Sequence, residues 1–211
     1  DNRRILVIKH GALGDIVQAL DAFASLRAGN PQAHIALMTS PGFLSLAKRM
    51  PVFNEGVAGP RAGLLNLAAA WRVRQCFRQD WSVIVDMQCS SRTRNYFAHF
   101  VPSNTRWIGT ASGCSDPLPD FTGVNNRDRM VTSAKMAGGI VHSPDMSWLV
   151  NGAAQTDDPA VMINDKQYAV LIPGCSPAKP QKRWPSDRFA AIGNDLVSRG
   201  FKIALVGTAD D

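Results

Sequence analysis

Apolar residues follow two rhythms along this chain. Short, near-continuous runs such as Ile5-Leu6-Val7-Ile8 alternate with longer stretches in which apolar positions recur every three or four residues. The first pattern predicts strands buried on both faces, and the second predicts amphipathic helices. The strands fall at residues 4–9, 34–38, 52–58 (weak), 82–87 and 106–109, the last of the first domain. The helices fall at 15–28, 43–49, 62–78, 93–100 and 127–138. In the first helix Ile16, Val17, Leu20, Phe23 and Ala24 share one face, and Gly29-Asn30-Pro31 stops it. Residues 111–125, rich in Gly, Ser, Asp and Pro, read as a loop.

Residues 143–166 carry Pro144, Gly152, Pro159 and several Asp and read as a linker. A second strand–helix–strand unit follows at 168–172, 186–199 and 202–206, with Pro185 at the first helical position and Gly200 at the helix end. The expected division is a first domain at 1–150, a connection at 151–166 and a second domain from 167 to 211. Alternating strands and helices imply doubly wound α/β domains with ligands at the carboxyl ends of the strands. The second unit is less than half of an ordinary domain of about 100–150 residues, so it reads as incomplete.

Composition narrows the class. A chain of 211 residues with 45% hydrophobic and 19% charged residues is ordinary for a globular protein. No apolar run approaches the roughly 20 residues that span a bilayer, and no signal peptide is visible. Cys76, Cys89, Cys114 and Cys175 form no CxxC pair and no metal spacing, so thiols in a reducing, cytoplasmic compartment are expected. His10, His34, His99 and His142 show no paired spacing, and no metal or cofactor is expected. The net charge of +6 is uneven: residues 1–110 hold 13 Lys/Arg against 6 Asp/Glu, and the remainder 10 against 11. A basic first half suits a polyanionic partner, an acidic membrane surface or a phosphorylated glycolipid, or simply keeps the protein soluble. No dense basic run interleaved with aromatics argues for nucleic acid.

Two strand-to-helix junctions carry the chemistry. The first, Gly11-Ala12-Leu13-Gly14-Asp15, is neither a dinucleotide fingerprint nor a Walker A loop. It is a tight turn after Lys9-His10 with a carboxylate at a helix start. Asp15 either caps the helix or acts on a hydroxyl. The helix N-terminus stabilises its charged form, which favours late proton acceptance or mere orientation. The second junction offers Gly174, Cys175 and Ser176 with Lys179, Lys182 and Arg183 just before a helix. Amides, a hydroxyl and cations converging there suit a diphosphate; the alternative is a solvated basic turn. Trp184 reads as a packing anchor. Arg61, Arg92 and Arg94 follow strands of the first domain and are candidates for acceptor phosphates or carboxylates, alongside Lys9, Gly11 and Gly14.

The opening Arg4-Ile5-Leu6-Val7-Ile8-Lys9 with Gly11-Ala12-Leu13-Gly14-Asp15 resembles the start of glycosyltransferase family 9, the lipopolysaccharide heptosyltransferases. Pro173-Gly174-Cys175-Ser176 with Lys179, Lys182-Arg183-Trp184-Pro185 and Arg188-Phe189-Ala190 resembles its donor-side signature. Arg106-Trp107-Ile108-Gly109 and Asp145-Met146-Ser147-Trp148-Leu149-Val150 fit the same order. The resemblance implies a GT-B fold, with two Rossmann-like domains, the second cut short after its first βαβ unit. It implies metal-independent, inverting transfer of heptose from an ADP-activated donor to an anionic inner-core glycolipid, in peripheral contact with the inner membrane face. By that resemblance Asp15 is the base, Lys182 contacts the donor phosphates, and Ser176 is a phosphate ligand by analogy. The family's later donor-domain signature has no counterpart up to Asp211, so this stretch alone is expected to be inactive. A transferase using another nucleotide sugar and a non-catalytic glycolipid- or anion-binding module remain open, with a dehydrogenase a distant third.

Overall fold

Ile5, Leu6, Val7 and Ile8 have no exposed surface because their strand is covered on both edges and both faces. In the computed structural model, which describes residues 3–59, 67–150, 167–175 and 180–207, β1 (Arg4–Ile8) pairs in parallel with β2 (His34–Thr39) and with β4 (Val83–Asp86). β3 (Glu55–Ala58) extends one edge, and β5 (Trp107–Gly109) and β6 (Asp116–Pro117) the other. The order is β3-β2-β1-β4-β5-β6, with every pairing parallel. The doubly wound α/β fold expected from the alternation is present.

The chain divides into two compact units, Asp1–Asn151 and Gly152–Asp211. In the first, alternate strand residues feed two cores. Ile5, Val7, Ile35, Leu37, Val83 and Val85 pack with Phe23 and Leu26 of α2 (Leu20–Gly29), Ala47 of α3 (Leu44–Arg49) and Met130 of α6 (Asn126–Met136). Leu6, Ile8, Ala36, Met38 and Ile84 pack with Phe77 of α4 (Leu67–Phe77), Tyr96 of α5 (Ser91–Phe100) and Trp107. Each fully buried large side chain contributes about 1.5–3 kcal/mol, so these two layers fix the sheet.

Three expectations are corrected. The helix expected at 15–28 is two helices, α1 (Leu13–Val17) and α2. Between them the Ala19 amide donates to Ile16 O at 3.0 Å, a tighter three-residue step that turns Val17 outward to 54% exposure. Residues 116–117, expected to be loop, form the edge strand, so 106–109 is not the last strand of the unit. The cause is local: Arg106 grips Asp116 through Nε–Oδ2 at 3.0 Å and a terminal nitrogen to Oδ1 at 2.7 Å, and the Trp107 amide donates to Ser115 Oγ at 2.8 Å. A two-residue strand has no periodicity to read. Residues 52–54 precede β3 rather than belonging to it, and Phe53 instead packs edge-on against Phe23, centroids 4.9 Å apart. The helix start expected at Ala62 and the connection at 151–166 lie outside the described residues.

After the short helix α7 (Ser147–Val150) at the end of the first unit, the second unit contains β7 (Tyr168–Leu171), parallel to β8 (Lys202–Leu205), joined through α8 (Ser186–Ser198). Pro185, expected at the first helical position, is instead the N-cap one residue before α8 begins, its ψ of 142° being extended. Gly200, at φ +88°, ends the helix as expected: its amide donates to Val197 O, and that of Phe201 to Leu196 O. No described residue of this unit is buried. Among the described residues, no helix is long and apolar enough to cross a membrane.

Candidate functional site

The connections from β1 to β2 and from β3 to β4 place helices on opposite faces, so β1 and β4 flank a topological switch. A crevice opens there beyond the carboxyl ends of the strands. Two chain segments meet in it: Lys9-His10-Gly11 after β1 and Met87-Gln88-Cys89-Ser90 after β4.

Their meeting is a chain of hydrogen bonds. Asp86 Oδ1, at the end of β4, accepts from the amides of Gln88 (3.0 Å) and Cys89 (2.8 Å). Gln88 Oε1 accepts from the amides of His10 (3.0 Å) and Gly11 (3.3 Å). Gly11 has φ +67°, and a Cβ there would lie 2.8 Å from Ile16 Cγ1, so both conformation and space demand glycine. The chain then enters α1, where Asp15 Oδ2 accepts from the Ala12 amide at 3.1 Å. Asp15 therefore does cap its helix, through one oxygen. Among the described residues Oδ1 has no hydrogen-bond partner.

Buried charge underlies the loop. Asp86 is wholly buried, and burial pushes its carboxyl up to about 6, against the opposing pull of the two amides. Lys9 is also buried, and burial holds its ammonium below the usual lysine range, while Asp15 pulls the other way. Burial pushes the Cys89 thiol up to about 11, which keeps it protonated and unreactive at neutral pH.

The cleft above is about 380 Å³ and polar, lined by His10, Gly11, Ser40, Gln88, Ser90, Ser91 and Arg92. Ser90 caps α5 by accepting the Thr93 amide at 3.3 Å, so a ten-residue helix directs its N-terminus at this space. Of the residues expected from sequence, Gly11 and Arg92 line the cleft. Lys9 lies beneath the loop, and Gly14 and Asp15 stand at the adjoining helix start. Around Gly14 a Cβ would meet nothing within 4 Å, so packing does not require glycine there. Arg94 is exposed on α5 and outside the lining, and Arg61 lies outside the described residues. The sequence reading missed Asp86, Gln88, Ser40, Ser90 and Ser91. For all but Ser40 the signal was a lone carboxylate closing the apolar run Val83-Ile84-Val85, followed after Met87 by the small or polar Gln88, Cys89, Ser90 and Ser91.

In the second unit, Gly174 and Cys175 follow β7, and Lys182 is exposed at the end of a 3-10 turn (Pro180–Lys182) ahead of α8. Ser176 and Lys179 lie outside the described residues. Trp184 packs edge-to-face on Phe189, centroids 5.3 Å apart, as an anchor should. Among the described residues no group of His, Cys, Asp and Glu could hold a metal ion, and no disulfide joins the cysteines.

A sequence profile for glycosyltransferase family 9 (heptosyltransferase) matches residues 129–211. Lipopolysaccharide heptosyltransferase 2 of Salmonella typhimurium is 26% identical over 99% of this chain and 64% of its own length. This chain is a relative of the family 9 glycosyltransferases. The profile covers α6 from Arg129 onward and the whole second unit, whereas the crevice residues lie before it and enter the likeness through the full-length relative. The chain spans 64% of that relative's length. A family 9 glycosyltransferase structure from Veillonella parvula matches with a TM-score of 0.77 at 19% identity, over 100% of this chain and 64% of that one. An E. coli heptosyltransferase with ADP-2-deoxy-2-fluoro heptose matches with a TM-score of 0.73 at 12% identity, over 98% and 70%. At such identities these structures establish the family 9 fold alone.

Proposed function

We propose that this chain carries the acceptor-binding domain (1–150), the connection (151–166) and the phosphate-binding entry of the donor domain (167–211) of an inverting lipopolysaccharide heptosyltransferase. The observation that carries the reading is the Asp15 loop, held rigidly at a topological switch beside a polar cleft, in a chain related along its whole length to heptosyltransferases. ADP-heptose is the donor. The acceptor is an anionic inner-core glycolipid, presented at the cytoplasmic face of the inner membrane.

The acceptor hydroxyl attacks the anomeric carbon while the bond from that carbon to the diphosphate oxygen breaks, through a transition state with oxocarbenium character. Asp15 accepts the hydroxyl proton. Lys182, Lys179, Ser176 and the amide of Gly174 take up the charge on the departing diphosphate by preorganised electrostatics. Gly11, Gly14, Arg92, Arg94 and Arg61 contact the acceptor. Lys9, buried below the loop, acts on Asp15 rather than on the acceptor.

The test is nucleotide competition in the full-length enzyme. ADP should compete with the sugar donor and UDP should not. Competition by UDP alone would assign another nucleotide sugar, and saturable glycolipid binding without any transfer would leave a binding module.

A further inference from the structure

The two helical faces of the first unit's sheet are electrostatically unlike. α4 and α5 cover the same face, and their inward sides meet where the rings of Phe77 and Tyr96 stand 5.6 Å apart. Their outward sides carry Arg72, Arg74 and Arg78 from α4 and its end, and Arg92 and Arg94 from α5, all exposed. Neither helix contains an acidic residue. Among the described residues none of these five arginines is in an ion pair. Amid them Trp71 is 61% exposed, more than any other aromatic of the described residues. On the opposite face Arg127 of α6 is paired, gripping Asp21 of α2 through two bonds of 2.7 and 2.8 Å.

Like charges left without counter-charges repel one another, and an exposed indole leaves apolar surface in water. Both costs are relieved by one kind of partner: an extended anionic surface with an interfacial layer that accepts an indole. Single-stranded nucleic acid fits less well, because it needs successive aromatics for stacking and only one is offered. We propose that the outward face of α4 and α5 docks on an anionic lipid bilayer. Arg92 belongs both to this face and to the cleft lining. Docking thus brings lipid-borne acceptors to the cleft; that last step rests on the function proposed above.

The experiment is sedimentation of the full chain with phosphatidylcholine vesicles, with or without phosphatidylglycerol, in the absence of nucleotide sugar and acceptor. Binding is expected only with phosphatidylglycerol and should weaken with salt. Replacing Arg72, Arg74 and Arg78 by Gln should lower the partition coefficient about fivefold per arginine. Trp71→Ala should lower it severalfold while leaving the thermal melt unchanged. Lys135→Gln on α6, which removes as much charge as any one of these arginine replacements, is the control and should bind like wild type. Equal binding to both vesicle types, no binding, or arginine and Trp71 variants that bind like wild type would overturn the proposal. So would preference for oligonucleotide over vesicle at one salt concentration, which would give the face to nucleic acid. Because no transfer is measured, failure of the heptosyltransferase reading leaves this result untouched, and the reverse also holds.

Discussion

The junctions after β1 and after β7 begin alike, with an apolar strand and a glycine-bearing loop ahead of a helix, yet the strands beneath them are buried to very different degrees. The first leaves a strand with no exposed residue among Ile5–Ile8, bends at a glycine that Ile16 forbids to be anything else, and is bracketed by Gln88 from the segment after β4. The second leaves a two-stranded sheet in which Val170 is 47% and Leu205 71% exposed. The first takes part of its geometry from a distant part of the chain, since Gln88 is 78 residues from His10. That suits a base, which must be placed to within a fraction of an ångström, more than a phosphate site, where flexible cations follow a diffuse charge.

The strongest way to sharpen this contrast is chemical. In the full-length enzyme Asp15→Asn should lower kcat by about 10²–10⁴-fold, the range for losing a positioned base, with ADP binding unchanged. Equal loss of both would place the defect in folding or donor binding instead. A packing test comes next. Ile8→Ala removes a fully buried side chain and should cost about 2–5 kcal/mol in this chain. Leu205→Ala, at a 71% exposed position, should stay within about 0.5 kcal/mol. Similar losses in denaturant melts would erase the difference between the units.

The buried carboxyl under the first junction gives a pH test with a definite sign. Burial raises the folded-state value of Asp86 to about 6 from 3.8. The folded protein therefore prefers the neutral acid. The stability this confers is complete below the unfolded value and is lost as pH rises through about 6. Asp86→Asn cannot ionise and keeps an acceptor for the Gln88 and Cys89 amides. Its stability relative to wild type should rise between about pH 4 and pH 7 by on the order of 3 kcal/mol. A flat difference between the two proteins across that window would mean that Asp86 is solvated or paired.

The strand pattern made the sheet legible, because strands buried on both faces are written as continuous apolar runs. The Asp15 loop was legible too, since glycine and a helix-start carboxylate are local signals. Its bracket was not. Gln88 is 78 residues from His10, and no periodicity links an amide side chain to the backbone it will hold. Likewise β6 owes its existence to the Arg106–Asp116 grip, and the break between α1 and α2 to a single tightened turn. These last two are decisions of single side chains and single hydrogen bonds, superimposed on a pattern that reads as loop or as one helix.

The smallest predicted effect tests the bracket itself. Gln88→Met keeps a side chain of similar size but removes the acceptor from two amides, those of His10 and Gly11. A buried donor left without an acceptor costs about 1–3 kcal/mol, and these two are only partly buried, so a loss near 1 kcal/mol is expected. Gln88→Glu restores an acceptor oxygen and should recover it. In the full-length enzyme Met should also lower kcat with the acceptor while sparing ADP binding, and Glu should rescue the rate with the stability. Rescue separates positioning from bulk: a merely space-filling Gln88 would tolerate Met and gain nothing from Glu. If Met melts and turns over like wild type, the loop after β1 holds its shape by local sequence alone, and the bracket from Gln88 adds nothing.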